Sequence, residues 1–150
     1  MDLILWRHAE AEPGDDDLDR RLTSKGIKQA ARVAAWLERH LPDTCRILVS
    51  PARRAQQTAQ ALGRKFKTVQ DLAPGASVAA ILAAANWPDS RESVLIVGHQ
   101  PTLGEVASLL LAGEEAGWSI KKGGIWWLSD RDRDGSAAVV LRVVIGPEFV

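Results

Sequence analysis

The stretch DLILWR at residues 2–7, running straight into His8, decides how this chain is read. Leu3 to Trp6 are four consecutive apolar residues without polar alternation, the pattern of a strand covered on both faces. CRILVS at 45–50 and SVLIVG at 93–98 repeat that pattern. Helical periodicities stand between the three. From Ser24 to Leu41, Ile27, Ala30, Ala31, Ala34, Leu37 and Leu41 recur at threes and fours, with Thr23 or Ser24 as N-cap. A second helix is expected over Ala52 to Phe66, opened by Pro51, a third around Val78 to Ala85, and a fourth from near Pro101 to Leu111. The last third, WSIKKGGIWWLSD at 118–130 and AAVVLRVVI at 137–145, reads as two antiparallel strands joined by the turn-rich RDRDGS at 131–136. The expected fold is α/β, a three-layer α/β/α sandwich whose mostly parallel sheet carries an antiparallel edge. A chain of 150 residues suits one domain, 1–150.

Composition narrows the function. Nineteen Lys and Arg balance nineteen Asp and Glu, so no global field draws nucleic acid and any anion site must be local. The apolar runs are too short to span a bilayer, and the N-terminus lacks the basic and apolar regions of a secretory signal. A single cysteine, Cys45, fits a reducing compartment and rules out a cysteine-rich zinc site. The expected location is the cytoplasm, with no membrane partner.

In open α/β sheets, ligands sit beyond the carboxyl ends of the parallel strands. After the first strand come Arg7 and His8; after the second, Ser50, Pro51, Arg53 and Arg54; after the third, Gly98, His99, Gln100 and Pro101. Two of three histidines and three arginines therefore collect at one edge. Arginine's planar fork matches phosphate oxygens, and several can spread over a phosphoryl group in transfer. A histidine that is neutral near pH 7 keeps a lone pair for attack, and Arg7 beside His8 is expected to depress its pKa by like-charge repulsion. A metal site is the competing reading, but zinc needs three or four protein ligands, and His40, at the end of the first helix, has no second ligand near it. The acidic run EAEPGDDDLDR at 10–20 reads as a solvated loop that could repel acidic substrates.

Four segments in order resemble the histidine phosphatase superfamily. LILWRHAEA resembles its RHG-type signature, with Ala9 where that family usually has glycine. RRLTSKGIKQA at 20–30, ILVSPARRAQQTA at 47–59 and LIVGHQP at 95–101 resemble its next three segments. The short length, RHAEA and GHQPT resemble the small SixA-type phosphohistidine phosphatases more than the larger phosphoglycerate mutases. That resemblance implies a phosphoglycerate mutase-like fold and a cofactor-independent enzyme without metal. It would hydrolyse the P–N bond of phosphohistidine in a protein, such as a phosphotransfer domain, through a covalent phospho-His8 intermediate. It also implies roles: His8 as nucleophile, Arg7 and Arg54 as phosphate ligands, His99 as a further ligand of the transferring group, and Arg21 as an additional arginine reaching the phosphate. Gln29, Ser50 and Thr58 would support the pocket, and Arg53, about 100° around the helix from the matched Arg54, would lie on the surface.

Many members of that superfamily supply a carboxylic acid to the leaving oxygen. Here the corresponding region reads QDLAPGAS at 70–77, with Pro74 about where a glutamate is expected. Asp71, Glu10 and Asp15 remain candidates. A leaving imidazole needs less protonation than an alkoxide, so the gap favours P–N over ester chemistry. The alternatives are a phosphatase for small phosphomonoesters, which needs a working acid, and a phosphate-binding module without turnover.

Overall fold

The computed structural model describes residues 1–133 and 136–150. Its element order is β1 (Asp2–Arg7), α1 (Ser24–His40), β2 (Arg46–Val49), α2 (Arg53–Gln60), β3 (Lys67–Thr68), α3 (Val78–Ala85), β4 (Val94–Gly98), α4 (Thr102–Ala112), β5 (Ile125–Arg133) and β6 (Ser136–Ile145). These strands form one six-stranded sheet in the order β3-β2-β4-β1-β5-β6. The first four strands run parallel and β5 and β6 antiparallel, which is the expected sandwich with its antiparallel edge. No helix among the described residues is long and apolar enough to cross a membrane.

The unbroken apolar runs have a simple cause: successive side chains of a strand face opposite sides, and here both sides are covered. Ile4 and Trp6 of β1, Ile47 and Val49 of β2, and Leu95 and Val97 of β4 pack with Val33, Ala34 and Leu37 of α1 and Ala55 and Ala59 of α2. Leu3 and Leu5, Leu48, and Val94 and Ile96 face the other way, onto Val78 and Ile81 of α3 and Leu103 and Val106 of α4. The adjacent tryptophans of β5 split in the same manner, Trp127 into the first core and Trp126 against the second.

Three expectations differ from what is observed, and one strand was not expected. The second helix stops at Gln60 rather than Phe66, because Gly63 takes a left-handed φ of 72° and Arg64 turns back to the carbonyls of Leu41 and Pro42. The fifth strand begins at Ile125 rather than near Trp118. Residues 118–124 are instead drawn towards β1: Gly123, at φ 71°, donates its N–H to the His8 carbonyl, and Arg7 N donates to Gly124 O. β3 has no counterpart in the hydrophobic pattern, since its two residues are both exposed. The loop at 131–136 is shorter than expected, because paired strand extends to Arg133 and resumes at Ser136; the centre of the expected turn lies outside the described residues.

The N-terminus of α1 is pressed against the chain that follows His8. Thr23 caps the helix by accepting from Gly26 N at 2.9 Å, and Thr23 N donates to Glu10 O at 3.0 Å. A Cβ at Gly26 would stand 2.0 Å from Glu10 O, so only glycine permits this approach. Gly26→Ala is expected to destabilise the protein by about 2 kcal/mol, read as a lower urea midpoint at unchanged m-value.

Candidate active site

β1 and β4 are neighbours with Arg7 opposite Gly98, and His8 N donates to Gly98 O at 3.1 Å. On the other side of β4, Ser50 N donates to Val97 O at 3.1 Å. The three segments after the parallel strands are thus held together by the sheet itself. His8 and His99 lie with ring centroids 5.2 Å apart, and both are buried.

His8 Nδ1 stands 2.7 Å from the Ala9 carbonyl. A carbonyl only accepts, so Nδ1 carries the proton and Nε2 keeps the lone pair. Burial pushes the His8 pKa down to about 4, against the pull of the Ala9 carbonyl and with further depression by Arg54, Arg7 and Arg20. The expected like-charge effect of Arg7 is present but secondary: loss of hydration is the main cause. His99 is pushed to about 3, first by burial and then by His8 and Arg54. Its Nε2 meets Ser50 Oγ at 2.7 Å, and Ser50 Oγ also accepts from Ala52 N at 3.1 Å.

Arg7 extends from the end of β1 and donates through Nη1 to Ile120 O at 2.9 Å. Arg54 sits in the first turn of α2 and is buried at 4% exposure. It donates through Nη1 to Asp17 O at 2.6 Å and through Nη2 to Asp17 Oδ2 at 3.2 Å. Among the described residues, the buried side-chain nitrogens without any partner are Arg7 Nε, Arg54 Nε and His99 Nδ1. All three belong to the residues grouped with His8. Buried polar atoms are rarely left unpaired, so this concentration marks a place that lacks an acceptor.

The supporting residues named in the sequence lie one layer out. Thr58 Oγ1 accepts from Ala9 N at 3.0 Å and donates to Arg54 O at 2.8 Å. Gln29 Oε1 accepts from Glu10 N at 3.0 Å. Ala9 does not need the glycine expected there, because its φ is not positive. Arg53 is exposed and pairs with Asp19 at 3.4 Å, as its helical position implied.

The structure does not bring Arg21 to the histidines. Its side chain is exposed, and its carbonyl is taken by Glu12 N at 2.7 Å. Its neighbour Arg20 is half-buried, and Arg20 is the one whose charge depresses His8. A signal for this was present in the sequence: in an extended segment the residue two before buried Leu22 shares its face, and that residue is Arg20. The role of Asp17 carried no such signal, because its grip on Arg54 spans 37 residues. An open cavity of about 570 Å³ is walled by the acidic loop and by Arg20, Arg21 and Arg53, and none of His8, Arg7, Arg54 and His99 lines it.

Residues 3–77 match the family model of the histidine phosphatase superfamily, branch 1. The chain belongs to the histidine phosphatase superfamily. His8, Arg7 and Arg54 fall within the matched residues, and His99 lies beyond them. Within the superfamily, an uncharacterized protein of Picosynechococcus sp. is 37% identical, with 93% of this chain and 88% of that protein covered. The phosphohistidine phosphatase SixA homolog of Haemophilus influenzae is 32% identical over 73% of this chain and 77% of its own. A solved structure of the protein histidine phosphatase SixA complexed with tungstate superposes with a TM-score of 0.79 at 26% identity, covering 99% of each chain.

Both histidines are folded in as neutral rings, which couples stability to pH. Their folded pKa values lie below the unfolded value of about 6.5, so between there and pH 4 the unfolded chain binds protons that the folded chain does not. Stability is therefore expected to fall as pH drops through this window, by up to about 1.4 kcal/mol per pH unit for each histidine. Urea denaturation between pH 7 and 4.5 should show a shallower slope for His99→Asn than for the wild type.

Proposed function

We propose that this chain is a cofactor-independent phosphohistidine phosphatase of the cytoplasm, a single domain that removes the phosphoryl group from histidine on a partner protein. The observation that carries the reading is the trio of buried, partnerless nitrogens on Arg7, Arg54 and His99 around a histidine whose Nε2 lone pair is free. A phosphoryl group offers three oxygens, and those nitrogens need acceptors. The likeness to the Haemophilus phosphohistidine phosphatase SixA homolog supports the P–N substrate. Tungstate, the ligand of the SixA structure, is a tetrahedral oxyanion like phosphate.

In the proposed reaction His8 Nε2 attacks phosphorus in line, forming a new P–N bond as the substrate's P–N bond breaks. The breaking pair returns to the substrate imidazole, which departs neutral when its other ring nitrogen already bears a proton. Arg7, Arg54 and His99 hold the three equatorial oxygens through this transfer. Water then attacks phosphorus, the bond to His8 breaks, and inorganic phosphate leaves with the water's oxygen. Neither half needs a strong acid on the leaving side. That agrees with the carboxylates present: Glu10 Oε2 accepts from Thr23 Oγ1 at 2.8 Å, Asp15 lines the outer cavity and Asp71 is exposed on a 3-10 turn. Among the described residues none of them hydrogen-bonds to His8 or His99.

Arg20, rather than Arg21, is the third arginine of this reading, because its charge acts on His8. Arg20→Ala is expected to raise the KM for a phosphohistidine peptide about tenfold, with Arg21→Ala changing it by less than about twofold. The decisive experiment follows a phosphohistidine peptide and a phosphomonoester in one tube by phosphorus NMR. The wild type should consume the phosphohistidine signal first, and His8→Ala should slow that by at least about a thousandfold and abolish labelling of the protein by a phosphoryl donor. Preferential loss of the ester would replace this reading with the phosphomonoesterase one. Labelling that survives in His8→Ala would remove His8 as nucleophile.

A further inference from the structure

We infer that Asp17 is a positioning residue of this site, holding Arg54 and Arg20 so that their remaining N–H groups are left for the phosphoryl oxygens. The inference rests on the phosphatase reading above and adds a residue to it from a loop with no evident chemistry.

A guanidinium has five N–H donors in a fixed plane. Asp17 occupies one on each terminal nitrogen of Arg54, with its backbone carbonyl at 2.6 Å from Nη1 and its carboxylate Oδ2 at 3.2 Å from Nη2. Two grips on the outer end fix the plane of the fork and leave Nε, buried and partnerless, for an incoming acceptor. Arg7 shows the same division, its Nη1 held by the Ile120 carbonyl and its Nε unpaired. For Arg7 the holder is backbone; for Arg54 it includes a replaceable side chain.

The same carboxylate reaches a second cation. Asp17 Oδ1 accepts from Arg20 Nη1 at 3.1 Å, while Arg20 Nε donates to Glu12 O at 2.8 Å. Asp17 therefore bridges two arginines whose charges both act on His8. Without it, two like charges would face each other beside a neutral histidine, and Arg54, at 4% exposure, would be a buried cation without a counter-charge. The other loop carboxylates do not substitute: Asp19 pairs with exposed Arg53 at 3.4 Å, and Asp15 and Asp16 line the open cavity. Arg20 first, and then Arg54, hold the Asp17 carboxyl below the usual range, which favours its ionised form.

A carboxylate near a phosphate pocket could instead compete with the phosphate for its arginines, and the two roles have opposite signs. Calorimetric titration with tungstate measures anion binding without turnover, and kcat and KM on a phosphohistidine peptide measure the reaction. Asp17→Ala and Asp17→Asn are expected to weaken tungstate binding about tenfold and to raise KM by a similar factor with a smaller change in kcat; Asp17→Glu should recover most of the affinity. Asp19→Ala should bind tungstate as the wild type does. Asp17 is exposed, and Asp17→Asn preserves its volume, so thermal melting checks that each variant is folded. Wild-type or tighter tungstate binding by both Asp17→Ala and Asp17→Asn would overturn the positioning role, and so would an equal loss in Asp19→Ala. If the wild type cleaved only phosphomonoesters, the P–N reading would fail while the tungstate titration would still decide the role of Asp17.

Discussion

The parallel pairing of β1 with β4 is the constraint from which the site follows. It sets Arg7 opposite Gly98 and lets His8 N reach Gly98 O, so the residues directly after each strand, His8 and His99, stand side by side with their rings tilted by 52°. Neither histidine is brought there by a loop that could settle elsewhere. The pairing is secured by two cores, one on each face of the sheet, which explains why these central strands tolerate no polar alternation. The same burial strips water from both rings and so sets their charge state.

That charge state gives the site its electrostatic character. Two neutral histidines stand among Arg7, Arg54 and Arg20, with nitrogens that have surrendered water and gained no partner. Such an arrangement is unfavourable by itself, and in the proposed reading an entering multivalent anion satisfies it. Strain of this kind is the usual mark of a functional centre in an otherwise well-paired interior. An entering dianion would also raise the affinity of both rings for protons, so binding and protonation are linked there.

Much of this was legible in the chain. Strand runs, helix periodicity and the rule placing ligands at the carboxyl ends of parallel strands bring His8, His99, Arg7 and the adjacent Arg53 and Arg54 to one edge, and the family resemblance selects Arg54 from that pair. What escaped was long-range or non-periodic. The hold of Ile120 on Arg7 spans 113 residues, and the course of 118–124 follows backbone bonds to Arg7 and His8 rather than its own apolar pattern. Whether Arg20 or Arg21 turns inward depends on which way an extended arm faces, and the burial of Leu22 decides it for Arg20. Desolvation, the main cause of the His8 shift, depends on the packing of the whole site, whereas the adjacent Arg7 charge is visible in the sequence.

The hydrogen bond from His8 Nδ1 to the Ala9 carbonyl has a consequence for regiochemistry. A free imidazole exchanges its proton between two nitrogens and can be modified at either. In this chain a backbone oxygen one residue away has removed that freedom before any substrate arrives. In the proposed reaction the phosphoryl group would therefore go to the far nitrogen, giving one isomer of the adduct. No tautomeric rearrangement would be needed on the way, so the ring would contribute little reorganisation to the barrier.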